Sequence, residues 1–151
     1  MNKTNLLKIN NRMIKDAGKR ANHGLAGVCV LKDKLYATNG YIAFCVDGDY
    51  SENEEITKIP QKDYPVSVIK KAFEQFEENN FIIDLDLSKY DLKQESVQFS
   101  QNFFDCSLIR FALQVIGKTY AASLATAVEA DRLKITGKDC SALILPLRLK
   151  N

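Results

Sequence analysis

The stretch "CSLIRFALQVIG", residues 106–117, sets Leu108, Ile109, Ala112, Leu113 and Ile116 on one side of a helix and Arg110 and Gln114, continued by Lys118, on the other. Ser107 is its expected cap and Gly117 its expected exit. Before it, "SVQFSQNFF" reads as a strand; after it, "YAASLATAV", "DRLKITG" and "SALILPL" read as three more, separated by short turn residues. The order is strand, helix, meander.

The same order stands at the N-terminus. "LLKIN" reads as a short strand, followed by a helix from about residue 11 to residue 21, with Asn10 or Asn11 as N-cap and "NHG" as exit. Then come "LAGVCVLKD", "KLYATN" and "YIAFCVD", with "KDK" forming a tight hairpin. Two copies of one plan with little residue identity imply a duplicated half within a single α+β domain, residues 1–151. The halves are 1–47 and 101–151. Residues 48–100 connect them through a polar stretch, a helix over "VSVIKKAFEQFEENN" and an alternating strand over "FIIDLDLS". Val68, Ile69, Ala72, Phe73 and Phe76 share one face of that helix, a core-packing pattern. Whether this piece is an insertion or part of the repeat is open at this level.

Composition bounds the function. An apolar fraction of 46% with 26% charged residues fits a water-soluble globular domain of 151 residues. No apolar run approaches the roughly 18 residues that cross a bilayer, and "MNKTNLLKINNR" lacks a signal peptide's apolar core. A cytoplasmic protein without membrane association is expected. Cys29, Cys45, Cys106 and Cys140 are widely separated, show no metal-ligand spacing and sit among apolar neighbours, which points to buried reduced thiols. The single histidine, His23, precedes a glycine and suits a turn. No catalytic residue, metal or cofactor is indicated.

One acidic cluster tests that exclusion. Asp84, Asp86 and Asp91 in "DLDLSKYD" lie close together, and alternate positions share a strand face, as a two-metal hydrolase would want. A plainer account puts Ile83, Leu85 and Leu87 on a buried face and the acids in water. Neither a phosphate-binding glycine loop nor a nucleophile arrangement accompanies them.

The net charge of +2 is small, but it is unevenly spread. Residues 1–46 contain only Asp16 and Asp33 as acids among many lysines and arginines, whereas Asp47 to Glu78 is acid-rich. On the first helix Arg12, Lys15 and Lys19 are spaced by three and four, and on the C-terminal helix Arg110, Gln114 and Lys118 repeat every four. Two basic helix faces are solvated surface at the least. They also suffice for sequence-independent phosphate contact, which needs mobile cations and no base-edge readers.

Two stretches resemble a known family. "LYATNGYIAF" resembles the ATDGHRLA strand-turn motif of bacterial sliding clamps, the processivity subunits of replicative DNA polymerase, and "SALILPLRL" resembles their C-terminal MPMRL ending. With "FFDCSLIRFALQVIG" and "RLKITGKDC" between them, the similarity covers about two-thirds of the chain. The resemblance implies a DNA-clamp-like domain of two strand-helix-meander halves with helices toward DNA, here as a single-domain relative. It implies Arg12, Lys15, Lys19, Arg110 and Lys118 as weak, non-specific DNA contacts. It further implies a partner site for replication-protein peptides. Thr38, Gly40, Tyr41 and Ile42 match the family's pocket-forming turn, and Leu145, Pro146, Leu147, Arg148 and Leu149 match its tail. Asn39 replaces the usual aspartate, Tyr41 and Ile42 replace a histidine-arginine pair, and Leu145 and Leu147 replace methionines. The family's pocket walls come from neighbouring domains, so a homo-oligomer, or a ring of about six copies, is the implied assembly. The competing expectation is a clamp-fold adaptor or competitor for clamp partners that does not bind DNA.

Overall fold

The computed structural model describes residues 1–19, 23–79, 81–126 and 131–147. Helix α1, Lys3–Lys19, absorbs the "LLKIN" run that alternation assigns to a strand. Leu6, Ile9, Met13 and Ala17 are all buried, a helical spacing, and that burial decides the local structure. The helix starts earlier than expected: Asn2 Oδ1 accepts from the Asn5 amide at 2.8 Å, the geometry of an N-cap. Asn10 is no cap. Its side chain is buried, and its Oδ1 accepts from Thr57 N at 2.8 Å, tying the connector to the helix.

Strands β1 (Cys29–Val30), β2 (Lys34–Thr38) and β3 (Ile42–Asp47) form the expected first meander. Helix α2 (Val66–Glu77) and strand β4 (Ile82–Leu85) follow. The run "SVQFSQNFF" is not one strand but a hairpin, β5 (Ser96–Phe99) and β6 (Asn102–Asp105), turned at Ser100, whose φ of 57° is left-handed. Helix α3 (Cys106–Ile116) is capped by Asp105, which accepts from Ser107 N, and ends at Gly117 with φ 103°. The expected cap, Ser107, instead donates both its N–H and its hydroxyl to Asp105. Strands β7 (Ala121–Ala125), β8 (Arg132–Thr136) and β9 (Cys140–Ile144) make the second meander.

All strands but the β5–β6 hairpin join one antiparallel sheet in the order β1-β2-β3-β9-β8-β7-β4. The two meanders meet at β3 and β9, with Ile42 opposite Ile144 and Phe44 opposite Ala142. The meanders therefore repeat, but the first half lacks the leading strand expected of it. The middle segment is woven into the same body, since β4 extends the sheet beyond β7.

Side chains alternate across this sheet and divide the core in two. On one face Leu35, Ala37, Ile42, Phe44, Leu124, Leu133 and Ile135 pack with Ile9 and Met13 of α1 and Ile109 of α3. Phe44 meets Phe111 of α3 edge-on, ring centroids 5.8 Å apart. On the opposite face Tyr64, Val66 and Ile69 pack on Cys29 and Tyr36, and Phe76 packs on Ala125 and Leu143. Val68, expected on the buried face of α2, is 66% exposed, because the side of α2 turned to the sheet is that of Val66, Ile69 and Phe76, and Ile83 is 51% exposed on the edge strand β4. Among the described residues no helix is long and apolar enough to cross a membrane.

Burial raises all four thiols above their ordinary range; Cys140 is pushed up to about 12. A raised pKa leaves little thiolate at about pH 8. Native protein should therefore react slowly with a disulfide reagent such as DTNB, while denaturant releases all 4 cysteines. Rapid native titration of two or more would contradict this packing.

Candidate nucleic-acid and partner interface

Helices α1 and α3 lie together on one face of the sheet, and their outer sides hold the cations. Lys15 and Lys19 are exposed on α1, with the aliphatic Ile14 beside them. Lys8 belongs to the same stripe, four residues before Arg12, and goes unrecognised while its segment is read as a strand. Asp16 is the only acid in α1 and is buried; α3 contains none. Lys3 is paired with Glu55 at 2.6 Å. The acids of α2 lie across the sheet, so the helical layer exposes cations without helix-borne anions.

The expected cations do not all serve one role. Arg12 Nε donates to Asp16 Oδ2 at 2.9 Å, and its guanidinium sits 4.9 Å over the Phe111 ring centroid. Its charge is committed to joining the two helices. Arg110 Nη1 donates to the carbonyls of Leu92 and Gln94, fixing the segment that enters β5. Lys118 is exposed but lies beyond Gly117, so it leaves the helical repeat its spacing implies. Lys15, Lys19 and Lys118 are the expected contacts for which, among the described residues, no ion pair or hydrogen bond accompanies their exposure.

The partner turn is built from side-chain amides and hydroxyls. Thr38 Oγ1 donates to Ile42 O and accepts from Gly40 N, and Gly40 takes the φ of 90° that favours glycine. Asn39 Oδ1 accepts from Tyr41 N at 2.9 Å and Ile42 N at 3.0 Å. Its Nδ2 donates to Asp16 Oδ2 at 2.8 Å. Beneath the turn, Tyr64 Oη accepts from Thr38 N and donates to Gly27 O, and burial holds that phenol well above its usual range.

After β9 the tail crosses this turn. Leu145 N donates to Tyr41 O at 3.0 Å and Leu147 N to Phe103 O at 2.7 Å, with Pro146, which lacks an N–H, between them. Turn and tail thus meet inside one chain, and this cluster needs no second copy to bring its two sides together. Tyr41, Leu145 and Leu147 are 47%, 38% and 39% exposed. Thr38 and Ile42 are buried and support the cluster rather than offering surface. Arg148 and Leu149 lie outside the described residues. An open groove of about 440 Å³ adjoins Leu147, lined by Glu95, Ser96, Asp105, Ser107 and Arg110.

Two acids of the triplet serve turns, and Asp84 is exposed on β4. Asp86 accepts from Ser88 N and Oγ, which lowers its pKa, and Asp91 accepts from Lys93 N. Comparison with known protein families, curated sequences and solved structures finds no match to this chain.

Asn39→Asp preserves the acceptor that holds the turn and replaces only the donor facing Asp16. Two carboxylates would then face each other, and the expected loss is about 2 kcal/mol at neutral pH by urea denaturation. A carboxyl facing another carboxylate has its folded pKa raised, so its proton is retained in acid and its penalty grows as pH rises. The deficit relative to wild type should be smaller near pH 4 than near pH 7. Equal stability of the two proteins at neutral pH would remove the Asn39–Asp16 bond from the account.

Proposed function

We propose that this chain is a non-catalytic, DNA-clamp-like protein that contacts duplex DNA without reading sequence, in replication or repair. The observation that carries the reading is that neither α1 nor α3 exposes an acid of its own, with Lys15 and Lys19 exposed and the only acid of the two helices buried. Mobile cations on a rigid layer release counterions from phosphate and need no base contacts. The helix-then-meander order, occurring twice around one sheet, supports the resemblance to clamp domains. Arg12 and Arg110 act in this reading by positioning the layer, since their guanidinium groups already hold internal partners.

A second reading has its own observation. Tyr41, Leu145 and Leu147 form an exposed apolar cluster where turn meets tail, the region matched to the clamp's peptide site. In that reading the chain is an adaptor that binds clamp-partner peptides, and DNA contact is absent.

Fluorescence anisotropy with a random-sequence duplex separates them. Wild type should bind at low salt with an affinity falling steeply and log-linearly with salt, similarly for unrelated sequences. The Lys15→Glu, Lys19→Glu double variant should bind at least about tenfold more weakly, with a salt slope shallower by roughly two. No binding at low ionic strength, or binding untouched by the double variant, would sink the DNA reading. Loss of labelled clamp-binding peptide on Tyr41→Ala, without any DNA binding by wild type, would favour the adaptor.

A further inference from the structure

The two edges of the main sheet are built differently. At the β1 edge, Val28 N donates to Thr57 O at 2.9 Å and Ile59 N to Val28 O at 2.8 Å, so a connector segment already occupies that side. At the other edge, β4 pairs with β7 alone among the described strands, and Ile82, Ile83 and Asp84 are exposed. The most exposed large apolar side chain among the described residues, Phe81 at 71%, lies here with Ile82 at 40% and Ile83 at 51%. An open apolar edge is a template for another strand.

The register determines which groups it offers. Thr126 N donates to Phe81 O, so in the antiparallel alternation Phe81, Ile83 and Leu85 bond toward β7. The N–H and C=O of Ile82 and Asp84 therefore point outward. An antiparallel strand that satisfies all four groups must itself present an outward pair two residues apart.

The geometry points to a second copy of this chain as the occupant, joined β4 to β4 about a two-fold axis at Ile83. In that register Ile82 exchanges both hydrogen bonds with Asp84 of the other copy, and the reciprocal pair repeats them. Ile83 faces its own equivalent, and Phe81 faces Leu85, so one face of the junction is wholly apolar. Asp84 lies opposite Ile82 and not opposite Asp84, which keeps like charges out of direct pairing. Shifting the axis to Asp84 would oppose two carboxylates. Head-to-tail growth from β4 onto the next copy's β1 is blocked by the segment at residues 57–59, so pairing closes at two copies and builds no six-membered ring. This inference stands apart from the DNA reading, because it uses no residue of α1 or α3.

Sedimentation equilibrium of the full chain from about 1 to about 100 μM tests it. Wild type should be dimeric in that range. Ile83→Lys and Ile83→Glu each place like charges opposite one another at the axis, and each should raise the dimer dissociation constant at least about tenfold. Mixed in equal amounts, the two should restore a dimer containing one of each. Circular dichroism should show both folded, since Ile83 is half exposed. A second measurement covers a folding failure: Ile83→Cys should give a disulfide-linked dimer on mild oxidation, because opposed residues of a non-hydrogen-bonded pair lie within disulfide reach, and Ile82→Cys should not. A wild-type monomer at about 100 μM, undiminished association of Ile83→Lys, no recovery on mixing, or no cross-linking of the Ile83→Cys variant would each overturn the proposal.

Discussion

A buried carboxylate organises the helical side of this molecule. Asp16 accepts from Arg12 on its own helix and from Asn39 on the turn between β2 and β3. Arg12 in turn stacks on Phe111 of α3, whose ring meets Phe44 in the sheet. One charge thereby fixes α1 against the turn, α1 against α3, and both against β3. A buried ion pair contributes modestly to net stability, yet leaving either partner alone is costly, so the arrangement specifies position more than it adds strength. That specification is what directs the remaining lysines of α1 outward. It also explains the amide at position 39, since an aspartate there would offer Asp16 no donor.

The sheet is held from both faces, and the connector supplies the second cover. Without α2 and Tyr64, the Cys29, Tyr36 and Leu143 side would face water. The acids of α2 belong to this opposite layer, whereas Glu55 of the connector pairs with Lys3 on the α1 side, so the charge asymmetry along the sequence is carried across the sheet by the helices alone. Lysines on the α1 and α3 side are then spared helix-borne anions, whereas α2 mixes both signs.

Both meanders were legible in the sequence because their strands alternate cleanly between two packed faces and are joined by short turns. Two other elements were not. "LLKIN" alternates over three residues, but Leu6, Ile9 and Met13 repeat at three and four, and a longer window favours the helix. The β5–β6 hairpin turns at Ser100 and Gln101 with no glycine or Asn-Gly pair, so it carries none of the usual turn signal. Periodicity also located faces without locating their cover. Ile83 and Leu85 do share the core side of β4, yet only Leu85 reaches the packed cluster, because no helix extends to the sheet's edge. At the candidate interface, sequence spacing identified the cations but not their commitments: Arg12 and Arg110 look like surface charges until Phe111 and the carbonyls of residues 92 and 94 are placed beside them.

The two proposed surfaces are related through the symmetry of antiparallel pairing. A two-fold axis between antiparallel strands runs perpendicular to the sheet, so each copy keeps the same face on the same side. That is why Ile83 would meet Ile83 on the core face of both. In the proposed dimer the α1 and α3 layers of the two copies would therefore lie on one side of a continuous sheet, and the acid-bearing α2 helices on the other. Pairing about an in-plane axis would set a basic layer beside an acidic one and cancel the asymmetry. The edge geometry thus doubles the cationic layer without any residue of that layer entering the junction, and self-association and phosphate affinity, though separately encoded, would act on one side of one assembly.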